Sequence, residues 1–194
     1  SDMYCTIEDV KNYLLINIEE WFEPQVEKWI GQVSRMIDRQ TNRDFQATDP
    51  DESGTEPETR KYDGTGKRTL FVDEFVKVAS VKVDGQEIAA ADYLLYPANK
   101  KPHYSIELAG RSFSRGRQNV EISAFWGYSV EVPEDIRFAA TVLVAGIINN
   151  SNQHEGEVSS ESWGRYTVTY RSKKELTDFQ SAKSILKSFR RIIF

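Results

Sequence analysis

Apolar positions recur along this chain in two rhythms, one of three and four residues and one of two. From about Trp21 to Asn42, Phe22, Val26, Trp29, Ile30, Val33, Met36 and Ile37 keep the three-and-four spacing that gathers side chains on one helix face. Pro24 falls in the first turn of that helix, where no amide hydrogen is needed. A shorter helix precedes it. Thr6 followed by Asp9 resembles a capping box with Asp in place of Glu, and opens a helix to about Leu15. The break between the two helices is expected at Ile16 to Trp21. Near Arg60 the rhythm changes. Leu70–Val72 and Val76–Val83 are β-branched or aromatic-rich runs, and Asp84-Gly85 after the second is a tight hairpin signal. Tyr93–Tyr96, Tyr104–Leu108 and Asn119–Trp126 continue the pattern. In the last, Val120, Ile122 and Ala124 alternate with Glu121 and Ser123, as in a strand with one wet face. These runs predict an antiparallel sheet or, if it closes, a small barrel.

Pro133-Glu134-Asp135 opens another helix, with proline and acids in the first turn to complement the helix dipole. It is expected to reach about Asn149 and to be apolar nearly all round, the mark of a central core helix. Its run from Phe138 to Ile148 is interrupted only by Thr141. A membrane span needs about 20 apolar residues, so this run reads as a buried helix. Ser151 to Glu161 is polar and expected to be mobile. Val158–Ser162 starts a strand, and Tyr166, Val168 and Tyr170 alternate with Thr167 and Thr169 as a strand or hairpin arm. Asp178 is placed to cap a last helix carrying Phe179, Ala182, Ile185, Leu186, Phe189 and Ile193 on one stripe. The order gives an α+β chain. A helical body, 3–45 and 132–194, would form a bundle around the central apolar helix, with a short strand or hairpin near 158–171. A β-rich subdomain at 60–131 would be inserted in it.

Between these regions, Asp44 to Glu58 carries six acids, two prolines and a glycine, with no Lys or Arg. Such a stretch buries too little to order itself, and a mobile acidic loop is expected at 46–59. Charge is uneven elsewhere too. Between Arg165 and Arg191 stand eight basic residues, Arg165, Arg171, Lys173, Lys174, Lys183, Lys187, Arg190 and Arg191, against Glu175 and Asp178 alone. This is a surplus of six positive charges in a chain of net −5. A solvated helix face explains it as well as an electrostatic contact with an acidic subunit surface or with DNA phosphates. Separate acidic and basic regions suit head-to-tail association, which closes into a ring where the rotation permits.

Candidate chemistry is sparse. Gly64-Thr65-Gly66-Lys67-Arg68-Thr69 comes nearest to a phosphate-binding loop. However, Lys61 stands where the first glycine belongs, Arg68 separates Lys67 from Thr69, and a strand follows in place of a helix. A glycine turn between strands is the better reading. His103 and His154, the two histidines, form no zinc pattern with the single cysteine, Cys5. Cys5 reads as a small apolar filler, and one cysteine allows no disulfide within the chain. No Gly-x-Ser-x-Gly elbow occurs. The acid pairs Glu19-Glu20 and Glu134-Asp135 fall at helix starts or solvated faces. The chain is therefore expected to have no catalytic residue, metal or cofactor. It begins with a polar helix and not a secretory signal, and no membrane contact is expected.

Several phrases, in order, carry a resemblance. A helix ends in Ile37-Asp38-Arg39-Gln40-Thr41-Asn42-Arg43-Asp44-Phe45. Tyr62-Asp63-Gly64-Thr65-Gly66 leads to Thr69-Leu70-Phe71-Val72, then to Val78-Ala79-Ser80-Val81-Lys82-Val83-Asp84-Gly85. Phe125-Trp126-Gly127-Tyr128-Ser129 leads to Val132-Pro133-Glu134-Asp135-Ile136 and an apolar helix. Glu161-Ser162-Trp163-Gly164-Arg165-Tyr166-Thr167-Val168-Thr169-Tyr170 leads to a helix ending Phe189-Arg190-Arg191. Over about Tyr4 to Arg191 the chain resembles the head–tail connector, or adaptor, proteins of tailed bacteriophages and prophages. It departs in Asn42, where that family's phrase has glycine, in Trp163, where a smaller residue is usual, and in its acidic insertion.

The resemblance implies a non-catalytic subunit of a ring of about a dozen copies in the virion neck. Assembly would take place in the host cytoplasm, from subunits that can be monomeric when purified. Its partners would be the portal protein, a tail or stopper protein and further copies of itself, with DNA at most transiently in the channel. Asp178 to Arg191 would be the portal-facing helix, with Phe179, Lys183, Leu186, Lys187, Phe189, Arg190 and Arg191 at the interface. Asp49, Asp51, Glu52 and Glu56 would form an acidic contact loop. The alternative is a nucleic-acid-binding accessory protein that uses the basic C-terminal helix.

Overall fold

A computed structural model describes residues 3–151 and 159–191. The chain is α+β and divides into two compact units, Ser1–Arg43 with Val132–Phe194, and Asp44–Glu131.

The first unit is organised by local signals that close each helix. α1 spans Ile7–Leu14. Thr6 Oγ1 accepts from the Asp9 amide at 3.1 Å, and the Asp9 carboxylate accepts from the Thr6 amide at 2.7 Å. Leu15 ends the helix in the left-handed region, φ +55°. α2 spans Glu23–Thr41 with Pro24 in its first turn, and buries Val26, Ile30, Val33, Met36 and Ile37. Phe22 and Trp29, read as part of the same face, are half-buried and meet edge to face at 5.6 Å. Asn42 takes φ +54° at the helix end. This is a position that favours glycine, and asparagine is the side chain that best tolerates it.

α3, Glu134–Ser151, is buried on every side. It packs against α1, α2 and two further elements, α4 (Lys173–Ser188) and β8 (Tyr166–Tyr170). β7, Ser159–Trp163, pairs antiparallel with β8 across the Gly164-Arg165 turn. Hence the end of the stretch expected to be mobile, Ser159–Glu161, lies in a strand. Residues 152–158, with His154 and Val158, lie outside the described residues, as does Ile193. At the closest approach, an added Cβ on Gly146 of α3 would stand 2.0 Å from Val168 Cγ1 of β8. Asn149, buried in the same joint, donates to the Thr169 carbonyl at 3.2 Å and to Glu175 Oε2 at 2.9 Å.

The cap of α4 corrects the sequence reading. Ser172, in extended conformation, accepts from the Glu175 amide at 3.1 Å and starts the helix six residues before Asp178. Asp178 lies inside α4. Its carboxylate accepts from Tyr13 of α1 at 2.8 Å and from Lys174 Nζ at 2.7 Å. Serine as the cap leaves this acid free to staple two helices.

The second unit is an antiparallel sheet. Its strands are β1 (Glu58–Gly64), β2 (Thr69–Val83), β3 (Gln86–Glu87), β4 (Tyr93–Tyr96), β5 (His103–Leu108) and β6 (Gly116–Trp126). The order is β1-β6-β2-β5-β4, with β3 paired to β2. The two apolar runs expected as separate strands are one long strand: β2 pairs with β5 through Thr69–Phe75 and with β6 through Phe75–Val83. Register shifts in both ladders let it turn from one neighbour to the other. The sheet does not close into a barrel. β1 and β4 stand at the ends of the order and do not pair with each other. Its core gathers Leu70, Val72, Phe75, Ile106, Phe113 and Ile122. Gly127, at φ +132°, leaves room for the segment at Ala47, since a Cβ there would stand 2.7 Å from the Ala47 amide nitrogen.

Two outcomes follow from the first unit. Gly146→Ala should destabilise the protein by about 1–3 kcal/mol in urea denaturation, because overpacking against Val168 outweighs the gain of about 1 kcal/mol in helix propensity. Val168→Ala should recover part of that loss in the same background. Tyr13→Phe should cost about 1–2 kcal/mol at pH 7. Burial first, then the Asp178 carboxylate, raises the Tyr13 phenol above its ordinary value. Its contribution is thus complete below about pH 10 and fades as pH rises further, so wild type and Tyr13→Phe should converge in alkali.

Candidate docking surfaces

The C-terminal helix spends its apolar stripe on the chain's own core. Phe179, Ala182 and Leu186 are buried, and the Phe179 ring lies 4.8 Å from that of Tyr170. Lys183 is paired with Glu161 at 2.7 Å and covers the Phe179 ring. Phe189, half-buried, offers its carbonyl to Arg43 Nε. The Arg191 amide donates to the Thr41 carbonyl at 2.7 Å, and Asn42 Nδ2 donates to the Arg191 carbonyl at 3.2 Å. Lys187 and Arg190 are the exposed members of the set.

Two of the eight basic residues in this segment are paired with acids of the unit, and two more are held by neutral groups. Lys174 pairs with Asp178 and Lys183 with Glu161, Arg171 donates to the Asn149 carbonyl at 3.2 Å, and Arg165 lies over the Tyr166 ring. The Lys174–Asp178 pair is already counted in the surplus of six, so only Glu161 lowers it further, while Arg171 and Arg165 keep their charge.

The acidic segment is tied down by its own side chains. The Asp51 amide donates to Asp49 Oδ1 at 2.9 Å, and Thr55 Oγ1 donates to the carbonyls of Asp49 and Glu52 at 2.7 and 2.9 Å. Asp and Thr make such turns because their oxygens reach nearby backbone groups. Asp51 also meets Lys77 of β2 at 3.2 Å. Asp51, Glu52 and Glu56 are exposed and Asp49 is half-buried.

Two surfaces escaped the sequence reading. One is apolar: Leu15 and Trp21, in the break between α1 and α2, are 89% and 79% exposed, beside a groove lined by Ile16, Ile18, Phe22 and Ile148. The other is basic. The turn Gly64–Thr69 and the loop Ala109–Arg117 hold Lys67, Arg68, Arg111, Arg115 and Arg117, all exposed, and no acid. The Phe113 amide donates to the Lys67 carbonyl, and the Leu108 amide to the Arg68 carbonyl, both at 2.9 Å. Gly64 pairs with Gly116. The available signal was two glycine-bearing stretches with Thr or Ser hydroxyls, each basic and acid-free, but nothing local says that they meet.

The groups singled out for candidate chemistry are taken up in ordinary contacts. The Gly64 amide is taken by Asn119 Oδ1 at 2.8 Å and the Lys67 amide by Thr65 Oγ1 at 3.3 Å, so the turn is not a phosphate cradle. His103 Nδ1 lies 3.0 Å from the Pro97 carbonyl. Burial pushes the Cys5 thiol up to about 12, which keeps it protonated and a poor nucleophile near neutral pH. Among the described residues no group of three or more His, Cys, Asp or Glu could hold a metal ion. No described helix is long and apolar enough to cross a membrane.

Residues 4–192 match the model of a protein family described as head completion protein (HCP). Among solved structures, the chain is similar to one titled as the neck of a native GTA particle, computed with C12 symmetry. The identity is 11% over 97% of this chain and 89% of that one, with a TM-score of 0.54. It is also similar to one titled as the neck of an empty GTA particle, computed with C6 symmetry. There the identity is 14% over 96% of this chain and 89% of that one, with a TM-score of 0.53. At such identities the likeness is one of fold. No curated protein matches the chain.

Proposed function

Because the chain belongs to the head completion protein family, we propose that it is a structural subunit of a head–tail connector ring in the virion neck. The observation that carries this reading is the family match over residues 4–192. The fold shared with neck chains of sixfold and twelvefold symmetric particles supports it. A heterologous contact whose rotation closes gives a ring, of about a dozen copies as the resemblance to connector proteins implies. The subunit works by shape and charge and carries out no chemistry. It docks on the portal, receives a tail or stopper protein, and assembles in the host cytoplasm.

In this reading the helical unit, 3–45 and 132–194, forms a bundle that serves as the ring body. The contact with the portal uses the exposed face of α4. Phe179 and Leu186 support that face from inside, Lys183, Phe189 and Arg191 fix its edges, and Lys187 and Arg190 steer the encounter. Asp51, Glu52 and Glu56, with Asp49 holding their turn, offer an acidic surface to a neighbour. The alternative, nucleic-acid binding by the basic C-terminal helix, is weakened by the pairing of Lys174 and Lys183 with acids of the same unit.

Electron microscopy of the protein mixed with its cognate portal tests this reading. Rings should form on the portal, and Lys187→Glu with Arg190→Glu should reduce their occupancy at least tenfold while the thermal unfolding curve stays in place. Unchanged occupancy would remove α4 from the contact, and the absence of rings on wild type would sink the connector reading. Charge reversal is preferable to truncation at Asp178, which would take Phe179, Ala182 and Leu186 out of the core.

A further inference from the structure

We infer that the basic pole of the β-rich unit, formed by Lys67, Arg68, Arg111, Arg115 and Arg117, docks the phosphate backbone of duplex DNA without reading its sequence. This goes beyond the connector reading and stands on a different unit of the chain from the α4 contact.

The pole is a built surface. Two loops more than forty residues apart in sequence are joined by the Phe113–Lys67 and Leu108–Arg68 hydrogen bonds and by the pairing of Gly64 with Gly116. Phe113 is fully buried beneath them. Asn119 locks the base, accepting from the Gly64 amide at 2.8 Å and donating to the Ser114 carbonyl at 3.1 Å. The fit is close: a Cβ on Gly64 would stand 1.9 Å from the Ser114 oxygen, and one on Gly116 2.6 Å from Asn119 Cγ. The Arg115 Nε lies 3.6 Å from the Cβ position of Gly66, which brings the two loops' charges side by side.

These cations are not consumed internally. Among the described residues Lys67, Arg111, Arg115 and Arg117 make no ion pair, and Arg68 meets Glu107 only at 4.0 Å. The bordering acids are occupied. Asp63 accepts from the Gln118 amide at 2.6 Å, and Asp84 accepts from Ser114 and from Asn119 Nδ2. They lower the local potential without filling the pole, so the contact should be weak and steeply salt-dependent.

The surrounding chemistry narrows the partner. A stable protein interface needs an apolar, well-packed centre, and this pole offers none. Single strands are held by stacking bases on exposed aromatic rings, and the only ring of the two loops is buried. A nucleotide cradle needs free backbone amides, and those of Gly64 and Lys67 are engaged. What remains is a fork of Arg and Lys side chains with exposed hydroxyls at Thr65 and Ser112, the groups that contact phosphate and sugar.

The test is fluorescence anisotropy of the full chain with a labelled duplex of mixed sequence, titrated from about 50 to 200 mM salt. Binding at the low end should weaken with a log–log slope of about −3 to −4.5, corresponding to three to five phosphates. Arg111→Gln, Arg115→Gln and Arg117→Gln together should flatten the slope by about 3 and lower affinity at least tenfold at low salt. Glu107→Gln should tighten binding, and the Lys187→Glu, Arg190→Glu variant should bind as wild type. Circular dichroism of each variant checks that the fold is kept, and Glu107→Gln tests the idea even if the triple variant does not fold. Absence of binding by wild type at about 50 mM salt would overturn the inference, as would unchanged binding by a folded triple variant. So would tighter binding to single strands. If the triple substitution abolished self-association and left duplex binding intact, the partner would be the acidic segment of a second copy, and the inference would again fall.

Discussion

An 18-residue helix that buries residues on every face has no stable arrangement until other elements cover it completely. That requirement organises the first unit. α1, α2, α4 and β8 each pack against α3, and each gives up an apolar face to do so. Burying a single Val, Leu or Ile side chain is worth about 1.5–3 kcal/mol, so this cover is the largest favourable contribution in the unit. It also sets local demands. Gly146 must lack a side chain where β8 approaches, and Asn149 must find acceptors at Thr169 and Glu175 once it is buried.

The same requirement decides which surfaces remain for partners. The stripe of Phe179, Ala182 and Leu186 has the periodicity of a docking helix, yet α3 claims it. Two of the charges around it are paired within the unit, Lys174 with Asp178 and Lys183 with Glu161. An amphipathic helix at the end of a chain serves a partner only after the chain's own core has been satisfied. In the β-rich unit the demand is lighter. One face of β6 and the bend of β2 enclose a core, and of the five basic residues in the loops beyond it only Arg68 meets an acid among the described residues.

The chain belongs to the head completion protein family. Its conspicuous features are surfaces: an acidic turn, a basic pole, an exposed apolar corner at Leu15 and Trp21, and Lys187 with Arg190 at and just past the end of α4. Within the acidic segment, Asp49 and Thr55 use their own oxygens to bond nearby backbone groups, contacts that composition alone does not reveal.

Element types were legible from the chain because helix faces, caps and strand alternation depend on residues a few positions apart. The Thr6–Asp9 box, Pro24 in the first turn of α2, the Asp84-Gly85 turn and the all-round apolar α3 are cases of this kind. Even so, Ser172 displaced Asp178 as a cap, since both fit the rule and only the path of β8 into α4 chooses between them. The open order of the sheet, the single bent β2 and the burial of Phe179 were decided by tertiary structure. So was the meeting of Lys67 and Arg68 with Arg111, Arg115 and Arg117. Pairing between distant strands sets which loops share an end of the sheet, and no pattern within either loop encodes that register.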